Sequence, residues 1–210
     1  MEYLSLFGLI FIIHLLAVIS PGPDFVMVLK NALQFDRKTA VYTALGISMG
    51  IAVHILYSVA GVALLLKNNT SLFNIVKTAG ALYIMYIGIK TLKPSPEQLD
   101  YDSLNSSAMP EKFQAIKTGF ITNVTNPKAS LFFLSVFSLL IPPGTPSGII
   151  LLLALMLIFV TFLWFVIVAY VFTNPVVVKA YEKYENTVLK LLGLILLILG
   201  STILIEMFKT

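Results

Sequence analysis

Six stretches of this chain run apolar for about 20 residues or more, the length that carries an α-helix across roughly 30 Å of hydrocarbon. They lie near 4–29, 39–66, 72–92, 116–141, 148–172 and 188–208. Only 11% of the 210 residues are charged and 58% are hydrophobic. A water-soluble domain carries roughly a quarter charged residues, so most of this surface is built to face lipid. An all-α polytopic membrane protein of six transmembrane helices is expected.

The first stretch reads as a retained span and not a cleaved leader. Only Glu2 precedes it as a charged residue, no small-x-small cleavage site follows, and it stays apolar longer than a leader does. Connections are short except one. Residues 93–115 contain Pro94, Pro96, Glu97, Asp100, Asp102 and Pro110. This polar linker divides the chain into a first set of three spans, 1–92, and a second, 116–210.

Orientation follows from where lysine and arginine fall. With the N-terminus outside, Lys30, Arg37, Lys38, Lys90, Lys93, Lys112, Lys117, Lys179, Lys183 and Lys190 lie on the inner side. Lys67, Lys77 and Lys209 lie on the outer side, and Lys128 stays within a span. The chain is therefore expected to be N-out and C-out, with the linker in the cytoplasm. An odd number of spans per half makes the halves, if they are repeats, inverted repeats. A shift of 104 residues lays Gly22-Pro23-Asp24 over Asn126-Pro127-Lys128 and the second span over the fifth.

The first span is interrupted at Ser20-Pro21-Gly22-Pro23-Asp24 and the fourth at Thr125-Asn126-Pro127-Lys128. Proline removes a backbone donor and clashes with the preceding turn, so neither span is expected to be one continuous helix. Backbone groups freed there cannot face lipid and must face protein or a wet cavity. Paired breaks in the two halves point to a central binding site. The plainer reading is that Ser20-Pro21 and Asn126-Pro127 are simply N-cap and first-turn pairs of resumed helices. Asp24 then suits the positive end of its helix dipole.

Lys128 resists that reading. A cation just after an N-cap meets the unfavourable end of the dipole, and within a span it costs on the order of 3 kcal/mol. It lies eleven residues past Lys117, roughly 16 Å of helix, which is deep for snorkelling. Asp24 is the acidic residue well inside a span that could answer it. A cavity with Lys128 on one side and Asp24 on the other complements the carboxylate and ammonium of an amino acid.

His14 and His54 lie within spans and are candidates, with Asp24, for a proton relay; a histidine bonded to a neighbouring helix is the equal alternative. No third ligand accompanies them, so no metal site is expected. Gly46-x-x-x-Gly50 reads as a face for close helix packing. Tyr83, Tyr86 and Trp164 read as packing or interface residues. Cysteine is absent, which excludes disulfides and thiol redox carriers. No HExxH, serine–base pairing or aspartate pair supports an intramembrane enzyme, and a structural subunit needs no oppositely charged helix breaks. The net charge of +4 is scattered at the ends of apolar runs, unlike a nucleic-acid surface.

Ser20–Asp24 with Phe25, followed by Ala44-x-Gly46-x-x-x-Gly50, resembles the opening of the LysE/RhtB amino-acid exporter family. The run from Gly80 to Lys90 is similar to that family's third span, and the run from Gly119 to Ala129, with Asn123, Asn126, Pro127 and Lys128, to its fourth. The resemblance covers essentially the whole chain in order. It implies export of amino acids or derivatives across a bacterial cytoplasmic membrane, coupled to protons and without a cofactor. The implied translocation residues are Ser20, Pro21, Gly22, Pro23, Asp24, Asn123, Asn126, Pro127 and Lys128. The aspartate form of the first motif is closer to the threonine and homoserine branch. The implied partners are a small amino-acid substrate, protons and the bilayer; homo-oligomerisation is allowed, nucleic acid is not.

Overall fold

A chain that crosses lipid must pair its backbone within each segment, and helix is the only local way to do so. The computed structural model describes residues 2–68, 70–92 and 109–207, and among them eight helices and no strand. They are α1 (Glu2–Ile19), α2 (Pro23–Gln34), α3 (Arg37–Asn68), α4 (Thr70–Leu92), α5 (Lys112–Val124), α6 (Pro127–Leu140), α7 (Ser147–Val171) and α8 (Pro175–Met207). The linker expected at 93–115 lies outside the described residues up to position 108, and α5 has already begun at Lys112.

Both breaks fall at the proline motifs, but they are built differently. At the second, Asn126 is the N-cap, its side chain accepting from the Lys128 N–H at 2.9 Å, and Pro127 opens α6. At the first, the Ser20-Pro21 cap pair of the plainer reading is not formed. The Ser20 N–H still donates to the Leu16 carbonyl, extending the α1 hydrogen-bond ladder, and the helix resumes only at Pro23 with Gly22 at the N-cap. Ser20 is spent on another helix, as described below. α1 and α2 meet at 56°.

Among the described residues four helices are long and apolar enough to cross a membrane, five if α1 and α2 count as one broken span. The expected fourth span is two short helices, α5 of 13 residues and α6 of 14. α5 carries Lys112 and Lys117, and α6 alone falls short of the roughly 20 residues a crossing takes. The start of α3 is capped by Asp36, whose carboxylate accepts from the Thr39 N–H at 2.7 Å. That bond holds the Asp36 carboxyl below the ordinary carboxylate range.

Helices approach one another where a side chain is missing. A Cβ on Gly46 would overlap the Ile116 carbonyl of α5, and one on Gly119 would overlap the Thr43 carbonyl of α3. The two glycines thus bring α3 and α5 to backbone contact. Gly88 and Gly193 do the same for α4 and α8, each facing the other's carbonyl. Two apolar clusters result. One joins Ile10, Ile13, Ile51, Phe132, Phe133 and Leu157; the other joins Phe25, Val28, Ala44, Ile47, Phe165 and Phe172. Outward faces stay apolar, with Leu56 72% and Phe159 63% exposed, as a lipid-facing surface requires.

Candidate functional site

The two breaks meet. The Asp24 side chain, in the first turn of α2, reaches the end of α5. Its Oδ2 accepts from Asn123 Nδ2 at 3.0 Å and from Asn126 Nδ2 at 2.9 Å. Its Oδ1 is buried and has no hydrogen-bond partner among the described residues. A carboxylate carries about four acceptor positions, so two amides on one oxygen leave it half engaged.

Lys128 makes the reciprocal crossing. Its backbone stands at the positive end of α6, the position that looks unfavourable in the sequence. Its ammonium, however, donates to the carbonyl of Ser20 at 2.7 Å and of Pro21 at 3.2 Å. Those oxygens are at the C-terminal, negative end of α1, where a cation is stabilised. The dipole argument drawn from Lys128's own helix therefore has a structural answer on another helix. Gly22 lies over this contact; a Cβ there would sit 3.5 Å from Lys128 Cδ and 3.6 Å from Nζ. Gly22 itself is extended (φ 177°, ψ −176°), so what it contributes is proximity.

Ser20 Oγ lies 3.0 Å from Thr91 Oγ1. The Thr91 hydroxyl donates to the Ile87 carbonyl, so Ser20 is the donor, and α1 is tied to α4. Asn123 is positioned from behind. Its side chain rests on Gly50, where an ideal Cβ would come within 2.5 Å of Asn123 Oδ1. Gly46 packs on backbone as the small-residue reading has it, whereas Gly50 makes room for a polar side chain of the site.

His54 explains itself through Pro127. In a continuous helix the Asn123 carbonyl accepts from the N–H four residues on, which proline lacks. Instead it accepts from the Asn126 N–H at 2.9 Å and lies 2.9 Å from His54 Nε2. A carbonyl only accepts, so Nε2 carries the proton, and Nδ1 accepts from the Tyr57 hydroxyl at 2.6 Å. His14 is separate: its Nε2 pairs with Thr161 Oγ1 at 2.9 Å. Both histidines pack on the Phe133 ring, with centroids 5.6 Å (His14) and 5.9 Å (His54) away. Neither is hydrogen-bonded to Asp24 in these contacts.

Some neighbours escaped the sequence. Tyr57 was open to discovery, because it stands one helical turn beyond His54 on the same face. Thr91 and the Gly50–Asn123 contact depend on other helices and leave no local signal. Tyr83, read as packing, also places its hydroxyl 3.5 Å from the Lys128 carbonyl. No cluster of three metal-ligating side chains occurs among the described residues.

The LysE type translocator family matches residues 15–207, which takes in both breaks with Asp24, His54, Asn123, Asn126 and Lys128, and begins one residue after His14. The chain belongs to that family. Threonine efflux proteins are among its relatives: that of Salmonella typhi is 32% identical over 187 residues, 86% of this chain and 88% of that protein. That of Escherichia coli K12 is 29% identical over 184 residues, with the same shares. An uncharacterized membrane protein of Bacillus subtilis is 25% identical over 190 residues, 87% of this chain and 90% of that protein. No solved structure matches the chain. As a LysE-type translocator it is a multi-pass membrane transporter and not an enzyme.

Proposed function

We propose that this LysE-type translocator exports amino acids or close derivatives, threonine- and homoserine-like ones foremost, across the bacterial cytoplasmic membrane in exchange for protons. The observation that carries the reading is the meeting of the two helix breaks. Asp24 and Lys128 stand there with the carbonyl end of α1 and the amide-bearing side chains of Asn123 and Asn126. That set offers acceptors for an ammonium and donors for a carboxylate, the two groups every free amino acid carries. The threonine efflux proteins among the relatives favour a small neutral substrate.

In this reading α1 with α2, and α5 with α6, are the broken spans of two inverted three-span repeats around one site. Proton exchange follows from charge. A net-neutral zwitterion gains nothing from the membrane potential, so its accumulation outside needs a coupled ion. Asp24 is the proton carrier placed within the site; His54 stands behind Asn123 and His14 farther off.

The test is to feed dipeptides to cells with and without the protein and follow intracellular free amino acids. Lower threonine or homoserine in expressing cells is expected, and equal levels for every amino acid would reject the proposal. Proton exchange is read separately, in loaded vesicles. Efflux should accelerate when the compartment receiving the amino acid is made acidic; indifference to the gradient rejects the coupling alone.

A further inference from the structure

The Lys128 ammonium is a primary –NH3+ held by two backbone carbonyls at the end of a helix, beside a carboxylate with a free oxygen. An amino-acid ammonium asks for the same surroundings: three acceptors around a compact cation. We propose that Lys128 is a tethered stand-in for the substrate. Before substrate binds, its ammonium occupies the substrate's ammonium position at the carbonyls of Ser20 and Pro21, leaving Asp24 Oδ1 as a further acceptor for the arriving ammonium. When an amino acid arrives, its carboxylate draws Lys128 off those carbonyls and its ammonium takes them over. This deepens the export reading above and rests on it.

Three features support the exchange. The carbonyls belong to the break between α1 and α2, so they are not consumed by a helix ladder. Gly22 presents no side chain toward Lys128, so the lysine stem and ammonium meet only backbone there. Asp24 Oδ1 is a buried acceptor without a hydrogen-bond partner, the kind of atom that marks a missing donor. The charges also balance. One cation leaves the carbonyls as another enters, and the substrate carboxylate accompanies the displaced lysine, so no unpaired charge is left buried.

The consequence is a reversal of ligand preference. In the natural protein an amine without a carboxylate has nothing with which to move Lys128, so it binds poorly. In Lys128→Ala the ammonium position is open, and the partner of the carboxylate is gone. Purified protein in detergent is titrated with L-threonine, L-threoninamide and n-propylammonium, with tetramethylammonium as an ionic control that has no N–H. Thermal midpoint is the readout. The natural protein should respond to threonine and barely to the two amines. Lys128→Ala should gain about tenfold or more in apparent affinity for threoninamide and propylammonium and lose a similar factor for threonine. Lys128→Gln keeps a neutral donor for the carbonyls, which guards against failure of the alanine variant to accumulate; the same reversal is expected there, smaller. If neither variant gains a response to the amines beyond that to tetramethylammonium, the stand-in role is overturned. Absence of a threonine response in the natural protein counts instead against the export reading, since the propylammonium measurement involves no amino acid.

Discussion

At the scale of single residues, the site is a set of crossed contacts. Lys128 serves the end of α1, while Asp24 is held by side chains at the end of α5. These hydrogen bonds go to different partners, and removing both charges should not restore what removing one loses. Asp24→Asn with Lys128→Gln is expected to export no better than the worse single variant, measured as export rate per unit of membrane protein. Return to most of the natural rate would mean that they merely neutralise each other and the substrate binds elsewhere. His54 is expected to brace the site through its bond to the Asn123 carbonyl. His54→Leu strips the Asn123 carbonyl of one of its two donors and should cost about 1–3 kcal/mol, seen as a lower thermal midpoint. His54→Gln can still donate to that carbonyl, and should keep both stability and response to a pH gradient. Loss of that response in a stable glutamine variant would return His54 to the proton path.

At the scale of elements, glycines decide which helices touch. Gly46 and Gly119 permit backbone contact between α3 and α5, and that contact sets Asn123 and His54 against each other. Gly46→Ala and Gly119→Ala should each destabilise by about 1–3 kcal/mol or more, because backbone cannot move aside as a side-chain tip can. Gly8 and Gly61 have nothing within 4 Å of an added Cβ. Alanine there should be neutral or mildly stabilising, by up to about 1 kcal/mol of helix propensity. The yield of monodisperse protein in detergent and its thermal midpoint separate the two groups. Equal behaviour of Gly46→Ala and Gly61→Ala would show that the α3–α5 approach is not what holds the site.

At the scale of the whole molecule, the two ends of the helices differ in what they carry. The start of α1 and the turn after α6 share one end, where Tyr3 and Ser5 line a cleft with Pro142 and Thr145. At the start of α3, Arg37 Nε donates to Thr173 Oγ1 at 2.8 Å, and the Lys112 ammonium lies 5.6 Å from the centre of the Tyr42 ring. Basic residues thus gather at the shared end of α3, α5 and α7. With that end in the cytoplasm, a cysteine introduced at Thr145 should react with an impermeant maleimide in intact cells. One at Ser106, outside the described residues, should react only after lysis. The natural chain has no cysteine, so the background is nil. Labelling of the Ser106 position in intact cells would invert the topology.

Much of this was legible in the sequence because its cause is local or additive. Apolar runs of helix-spanning length impose helices, proline breaks them at the residue where the donor is missing, and Asn126-Pro127 caps α6 with its own atoms. Both breaks and most of the site residues follow from such terms. What the tertiary structure decided depends on surfaces that no single segment contains. The fourth apolar stretch became two short helices, and Ser20 turned to Thr91 on another helix where the plainer reading put a local cap. Lys128 looked misplaced because only its own helix dipole was visible; the oxygens that hold it lie 108 and 107 residues away in the chain. Gly50 and Asn123 meet for the same kind of reason, a missing side chain on one helix admitting an amide from another. Chain-local energies fix the elements and their breaks, whereas the close approach of backbones decides which breaks face each other.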